Sequence, residues 1–285
     1  MIILIWVIGS FALVLAWAVF VEPNWYRLKR ISIHLPKKVR KPFTILHLSD
    51  VHFQKKMGSK KHIFQRLSML NPDLIFLTGD IIDCDDGIDT AVRLLAGLRA
   101  RYGTFFIFGN HDYYDYRLRD VFLYHVGFSR IAAHRNNSSR FAEELKRIGI
   151  TVLVNQSVRL EVHGNHVLIG GTDDPVTQKI DFERALRGLS AETVNILLTH
   201  HLDSVLKLSH HGVDLVFSGH THGGQLRIPF LGPVVCETKL PRRYISGLHI
   251  YNGMTACVSR GMGASRFTFP RFACRPEAIF VEVLP

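Results

Sequence analysis

Cysteine is scarce in this 285-residue chain, and its four copies, Cys84, Cys236, Cys257 and Cys274, lie far apart with no C-x-x-C pair. That spacing excludes a zinc knuckle and a disulfide framework, and the four read as reduced thiols. The chain also lacks internal repeats and low-complexity tracts, which excludes a solenoid. Charge is missing from one long apolar run: no Asp, Glu, Lys or Arg occurs between Ile2 and Val21. Elsewhere charge is plentiful and lopsided, with 35 Lys and Arg against 24 Asp and Glu for a net +11. A hydrophobic content of 47% excludes a disordered or collagen-like polymer. The length suits one catalytic-sized domain with an appendage.

The appendage is the uncharged run. At about 1.5 Å rise per residue it makes roughly 30 Å of helix, the thickness of a bilayer's hydrocarbon core. Residues 1–21 are therefore expected to form a transmembrane anchor, with Trp6, Trp17, Trp25 and Tyr26 near its ends where aromatic rings favour the headgroup zone. A buried core helix and a cleaved leader are the competing readings. Ala16, Trp17 and Ala18 form an A-x-A-like site, but the segment has no basic stretch before it. Positive charge follows it instead: residues 22–42 carry Arg27, Lys29, Arg30, Lys37, Lys38, Arg40 and Lys41 against the single acid Glu22. This stretch reads as a basic juxtamembrane linker attracted to an anionic lipid surface, or as a plain solvated linker. By the positive-inside rule the remaining chain is expected to stay in the cytoplasm, held against the inner leaflet.

Residues 43–285 read as one catalytic domain. Short apolar runs at 43–48, 74–77 and 104–108 suit strands buried on both faces, and 60–70 and 88–98 between them have helical spacing. A helix over 138–148 ends at Gly149, and 158–162 with 166–169 bracket His163, Gly164 and Asn165 as a hairpin. Helices near 182–189 and 204–208 and strands at 194–198 and 215–217 follow, and the last sixty or so residues read as β structure and loops.

Polar residues collect directly after the apolar runs, where open α/β sheets place their sites. They are Asp50-x-His52, Gly79-Asp80, Gly109-Asn110-His111-Asp112, Thr199-His200 and Gly219-His220-Thr221-His222. In an extended segment residues i and i+2 point the same way, so Asp50 with His52, and His220 with His222, each present two donors to one small volume. Mixed oxygen and nitrogen donors suit first-row divalent ions, and a carboxylate such as Asp80 can bridge two cations about 3.5–4 Å apart. Any one of these motifs is weak; five of them at strand ends is a specific signal.

The ordered set DVH at 50–52, GD at 79–80, GNHD at 109–112, TH at 199–200 and GHTH at 219–222 resembles the calcineurin-like metallophosphoesterase superfamily. EPNW at 22–25, GHTHGGQLR at 219–227, RYISGL at 243–248, RGMG at 260–263 and CRPE at 274–277 extend the similarity to its bacterial membrane-associated branch. That branch includes a phosphodiesterase and a chlamydial UDP-2,3-diacylglucosamine hydrolase of lipid A synthesis. The resemblance implies an α/β fold, a four-layer αββα sandwich, and two divalent metal ions, Mn²⁺ first with Fe, Zn or Mg as alternatives. It places Asp50, His52 and His222 on one ion, Asn110, His200 and His220 on the other, Asp80 between them, and His111 as the catalytic histidine. Asp112 is expected to support His111 or Asn110 by hydrogen bonding, His201 to be exposed or to back the ligands, and Asp83 to serve the turn or to back a ligand rather than to be one.

Arg260, Arg266, Arg271 and Arg275 could grip substrate phosphate through their guanidinium forks, or be scattered surface arginines. The insertion at 113–137, beside the GNHD turn, could cap the substrate or be a plain excursion. The leading expectation is a membrane-anchored phosphohydrolase acting on a lipid-linked nucleotide or phosphodiester. A nuclease of the same superfamily and a noncatalytic scaffold are the alternatives, with nucleic acid disfavoured because the charge beside the anchor already has a lipid explanation.

Overall fold

The computed structural model describes residues 2–56, 58–119, 134–208, 212–267 and 270–285. In chain order its strands are β1 (Arg27–His34), β2 (Phe43–Leu48), β3 (Leu74–Thr78), β4 (Gly103–Ile107), β5 (Tyr114–Asp115), β6 (His134–Arg135), β7 (Ile150–Val152) and β8 (Gln156–Val162). They continue as β9 (Asn165–Gly171), β10 (Val194–Leu198), β11 (Leu215–Ser218), β12 (Arg227–Ile228), β13 (Gly232–Pro233), β14 (Gly247–Tyr251), β15 (Met254–Val258) and β16 (Glu277–Leu284).

Two six-stranded sheets carry the domain, in the orders β1-β16-β2-β3-β4-β7 and β14-β15-β11-β10-β9-β8. The neighbours β2, β3, β4 and β7 run parallel, as do β9, β10, β11 and β15, so each sheet directs several carboxyl ends to one edge. The two-residue period of a strand sorts its side chains. From β2, Ile45 enters the layer between the sheets with Phe76, Ile107, Ile196 and Phe217. Leu46 and Leu48 face the other way, against Ile63, Phe64, Leu67, Ala91, Phe141 and Leu145 of the helices Lys60–Leu67, Ile88–Leu95 and Ser138–Arg147. On the far side, Leu197, Val216 and Ala256 pack with Leu186, Leu202 and Val205. These three apolar layers make the expected four-layer sandwich.

The fourth layer is thinner than its spacing suggested. The helix expected near 182–189 closes after Phe182–Ala185, and the one expected at 204–208 is replaced by a 3₁₀ segment, Leu202–Lys207. Gly149 terminates the helix Ser138–Arg147 at φ 84°, and the β8–β9 hairpin turns through His163 and Gly164 at φ 51° and 82°.

Within the stretch read as a basic linker, the structure differs. Residues Arg27–His34 are β1, paired in parallel along its whole length with β16. Ile31 and Ile33 join the core between the sheets, a two-residue alternation that the flanking cations hid. Arg27 pairs with Glu277 at 2.5 Å and Lys38 with Asp214 at 2.8 Å, so part of the charge is spent inside the fold.

Ile2–Ala16 is α-helical and continues through a π-helical turn, Trp17–Val21, and a 3₁₀ turn, Glu22–Asn24. The run Ile2–Asn24 is long and apolar enough to cross a membrane, and only 6% of its most apolar window is buried. That exposure removes the buried-core alternative. The base of the helix is tied down: Glu22, 3% exposed, accepts Trp17 Nε1–H at 3.0 Å and the backbone N–H groups of Ala273 and Cys274, and Arg271 N–H donates to Ala18 O at 2.9 Å.

Candidate metal centre

Five chain segments meet where the carboxyl ends of β2, β3 and β4 from one sheet face those of β10 and β11 from the other. Asp50, His52, Asp80, His220 and His222 all adopt left-handed backbone, with φ between 49° and 69°. Non-glycine residues hold this conformation at a cost of about 1–3 kcal/mol each, and such costs cluster at functional sites. The approach leaves no room between loops. At Gly109 a Cβ would strike Asp80 Oδ1 and lie 2.6 Å from Asp80 N; at Gly219 it would strike Ser49 Oγ and Asp50 Oδ2.

Two groups of donors share one carboxylate. Asp50, His52, Asp80 and His222 bring ligand atoms within 4.8 Å of one another, and so do Asp80, His200 and His220. Asp80 Oδ2 lies 3.3 Å from His200 Nε2 and 3.9 Å from His52 Nε2, while Oδ1 accepts His111 N–H at 2.8 Å. His222 Nε2 lies 3.4 Å from Asp50 Oδ1.

The outer nitrogens of three rings are held from behind, which fixes which nitrogen faces inward. His200 Nδ1 meets Thr78 O at 2.8 Å, His52 Nδ1 meets Asp83 Oδ1 at 3.3 Å and His222 Nδ1 meets Gly263 O at 3.2 Å. Inward-facing nitrogens then approach each other: His52 Nε2 and His222 Nε2 at 3.3 Å, and His200 Nε2 and His220 Nδ1 at 3.2 Å. A single proton can join one such pair, whereas a cation accepts both lone pairs at once.

Asn110 completes the set. It is 7% exposed, and its Oδ1 is buried with no hydrogen-bond partner among the described residues, an orphan acceptor one residue after Gly109, whose Cα side faces Asp80 and the His200 ring. The donor chemistry, the shared carboxylate and this orphaned oxygen fit a pair of divalent cations, one among Asp50, His52 and His222, the other among Asn110, His200 and His220, with Asp80 able to reach both.

Electrostatics follow the same division. Burial holds His220 and His222 well below the ordinary histidine value, reinforced by neighbouring His200 and His201 for the first and by His52 and Arg271 for the second. Both are thus neutral at pH 7, the form that ligates. Burial works against a proton on His200 too, but Asp80 and Asp50 overcome it and lift His200 to about 10. For His111 the carboxylates of Asp80 and Asp83 likewise outweigh burial and raise it. Its Nδ1 lies 3.3 Å from Asp83 Oδ1, and its ring stands 4.6 Å from that of His52.

Three expectations change. Asp112 supports neither His111 nor Asn110 through their side chains; it accepts the backbone N–H groups of Gly109 and Asp80 on Oδ2, at 2.8 Å each, and of Ile81 and Ile82 on Oδ1, clamping two loops together. Arg271 is no phosphate grip. Fully buried, it spends its guanidinium on Cys274 O, Arg260 O and Gly263 O and sits 3.2 Å from His222 Nδ1. Arg275 donates to Trp25 O and Tyr26 O and stacks on the Trp25 ring, so it serves the base of the N-terminal helix.

Arg266 lies beside the centre. Its backbone N–H donates to Asp83 Oδ2 at 3.1 Å, and its half-buried guanidinium pairs with Asp115. Arg260 packs along Gly223, next to His222. His201 is 8% exposed, its ring 4.4 Å from that of His220.

Sequence reading overlooked Tyr116, whose ring is 4.7 Å from His111, and Glu237, whose Oε2 is 3.9 Å from His220 Nε2. Neither sits in a motif, and only the folded loops bring them in. Asp83, expected to serve the turn or to back a ligand, stands behind His52 and beside His111 and accepts the backbone N–H of Arg266. The insertion 113–137 starts and ends as a β5–β6 ribbon, with Asn136 Nδ2–H donating to His111 O at 2.8 Å; residues 120–133 lie outside the described residues.

A four-layer α/β sandwich with this constellation at its strand ends defines a metallophosphoesterase. The family model for calcineurin-like phosphoesterases matches residues 43–224, and the chain belongs to that family. It is 31% identical over 241 residues to the uncharacterised metallophosphoesterase YkuE of Bacillus subtilis, covering 82% of this chain and 77% of that one. To the phosphodiesterase YaeI of Escherichia coli it is 28% identical over 277 residues, 93% of this chain and 91% of that one. To the UDP-2,3-diacylglucosamine pyrophosphatase LpxG of Chlamydia trachomatis it is 30% identical over 251 residues, 75% of this chain and 74% of that one. The protein is a metal-dependent phosphoesterase.

Proposed function

We propose that this protein is a membrane-anchored phosphohydrolase that cleaves a phosphodiester or pyrophosphate bond of a lipid-linked substrate, UDP-2,3-diacylglucosamine being the most concrete case. The observation that carries the chemistry is Asp80 Oδ2, which lies between His200 Nε2 and His52 Nε2 and so belongs to both donor groups. Asp50, His52 and His222 hold one divalent cation, and Asn110, His200 and His220 hold the other, with Asp80 shared. Such a pair, Mn²⁺ in the first instance, neutralises phosphate charge and lowers the pKa of a bound water toward 7. Burial disfavours a proton on His111, but Asp80 and Asp83 outweigh it and shift the ring toward its protonated form, which suits a donor to the phosphoryl oxygen or to the leaving oxygen. Asp83 orients both His52 and His111, and Asp112 fixes the spacing of the loops that carry Asp80 and Asn110. Arg266 and Arg260 offer positive charge for a further phosphate.

The lipid substrate and the single-pass anchor in a bacterial inner membrane, with the domain in the cytoplasm, rest on the apolar run Ile2–Asn24, on the basic residues after it and on the names of YaeI and LpxG. Full-length protein in detergent with Mn²⁺ is expected to hydrolyse bis-p-nitrophenyl phosphate and to release UMP from UDP-2,3-diacylglucosamine faster than it cleaves single-stranded DNA. Preference for the DNA would favour the nuclease reading, and no hydrolysis of any of the three would leave a scaffold.

A further inference from the structure

Directly after His222 the chain makes a small antiparallel hairpin, β12 and β13, that buries almost none of its apolar side chains. Phe230 is 108% exposed and Leu231 77%, with Val235 at 60%, Val234 at 56% and Ile228 at 50%. A contiguous patch of this kind marks an interaction surface. Phe230 also holds φ at 67°, a costly conformation for a bulky side chain, and its exposure shows no packing against the described residues in return.

The position of the hairpin says what covers it. Phe272 N–H donates to Gln225 O and Phe272 O accepts Arg227 N–H, at 3.0 and 2.9 Å, so the base of the hairpin is hydrogen-bonded to residue 272. The preceding residue, Arg271, donates its backbone N–H to Ala18 O at the base of the apolar helix. Successive amides of an extended segment point to opposite sides, so residues 271–272 lie between the helix base and the hairpin base. Trp17 and Trp25, in edge contact at 5.7 Å, lie at the same end of the helix, where aromatic rings mark the edge of a bilayer.

From this continuity we infer that the 226–235 hairpin dips into the same membrane as the helix, with Phe230 and Leu231 among the acyl chains. The bilayer then holds the protein at two points, and the rim that carries His220 and His222 faces the lipid surface. A lipid-linked phosphate reaches the centre without leaving the membrane. The inference rests on reading Ile2–Asn24 as a membrane span, but not on the identity of the substrate.

The test uses full-length protein and its Phe230→Trp variant in vesicles of phosphatidylcholine and phosphatidylglycerol with brominated acyl chains, which quench tryptophan on contact. Hydrolysis of bis-p-nitrophenyl phosphate at the wild-type rate verifies the variant's fold. The wild-type signal reports Trp6, Trp17 and Trp25; the difference between the two proteins reports position 230. Quenching of both signals is the expected result. A quenched wild-type signal with an added Trp that only aqueous iodide quenches overturns the hairpin while leaving the span intact. An added Trp shielded from both quenchers puts a protein on the patch and also overturns it. If bromolipid quenches neither signal, the span and the hairpin fall together.

Discussion

Around Asp80, buried carboxylates and imidazoles are held by backbone donors and by one another, in backbone conformations that cost energy, so that their free electron pairs converge. At the 226–235 hairpin, which follows His222 in the chain, the terms are reversed: apolar side chains stand in the open. The first region concentrates charge that folding alone would avoid, and the second exposes oil that folding alone would bury. Both departures from a stable fold's preferences point outward, to a cation pair in one case and a bilayer in the other. Substitutions should therefore separate them, with activity lost in the first region and little lost in the second.

The largest effect is expected from Asp80→Ala. A metal pair is worth several kcal/mol to the transition state, so losing the shared carboxylate should cost about 10³-fold or more in kcat/KM toward bis-p-nitrophenyl phosphate, with the circular dichroism of a folded protein retained. His111→Gln should lose about 10²-fold or more in kcat and keep its metal, since the residue acts on the proton rather than on the ions. Loss of metal in that variant would redraw the division between ligands and acid.

Arg271→Met probes the seam between the regions. It leaves the carbonyls of Arg260 and Gly263 without their donor, and Gly263 O is the acceptor that holds His222 Nδ1, so metal affinity should fall about 10- to 100-fold and stability by about 1–3 kcal/mol. Calorimetric titration and denaturant melts measure the two. The smallest effect is expected from Phe230→Ser, which should change stability by no more than about 0.5 kcal/mol and leave turnover of the soluble phosphodiester as it was. A large destabilisation there would mean that the hairpin packs on its own domain and would erase the contrast.

The two regions also differed in how far sequence alone exposed them. Asp50-x-His52, Gly79-Asp80 and His220-x-His222 were legible because ligand chemistry demands particular residues at strand ends, and the strands announced themselves as unbroken apolar runs. The runs alone gave strands and helices; the four-layer sandwich came from the family resemblance that the motifs at their ends carry. Arg271 was misread because composition cannot tell a guanidinium that faces phosphate from one that faces carbonyls. Asp112 was misread because its partners are backbone N–H groups, which leave no letter in a sequence. β1 was hidden by its charges, since Arg27 finds its partner at Glu277, far along the chain.

Acidity should bear on the first region alone. Asp80 lifts His200 to about 10, so in the metal-free protein its imidazole carries a proton throughout the neutral range and must release it to ligate. Cation affinity should accordingly strengthen as pH rises from 6 toward 9, read by isothermal titration in buffers of different ionisation enthalpy. Affinity independent of pH would remove His200 from the ligand set.

The most direct measurement is the metal content of full-length protein loaded with Mn²⁺, desalted and analysed by atomic emission beside Asp80→Ala. Two donor groups that share one carboxylate predict close to two ions per wild-type chain and no more than one in the variant. An Asp80→Ala protein that retains two ions and normal turnover, or a wild-type chain that binds none, would contradict the assignment.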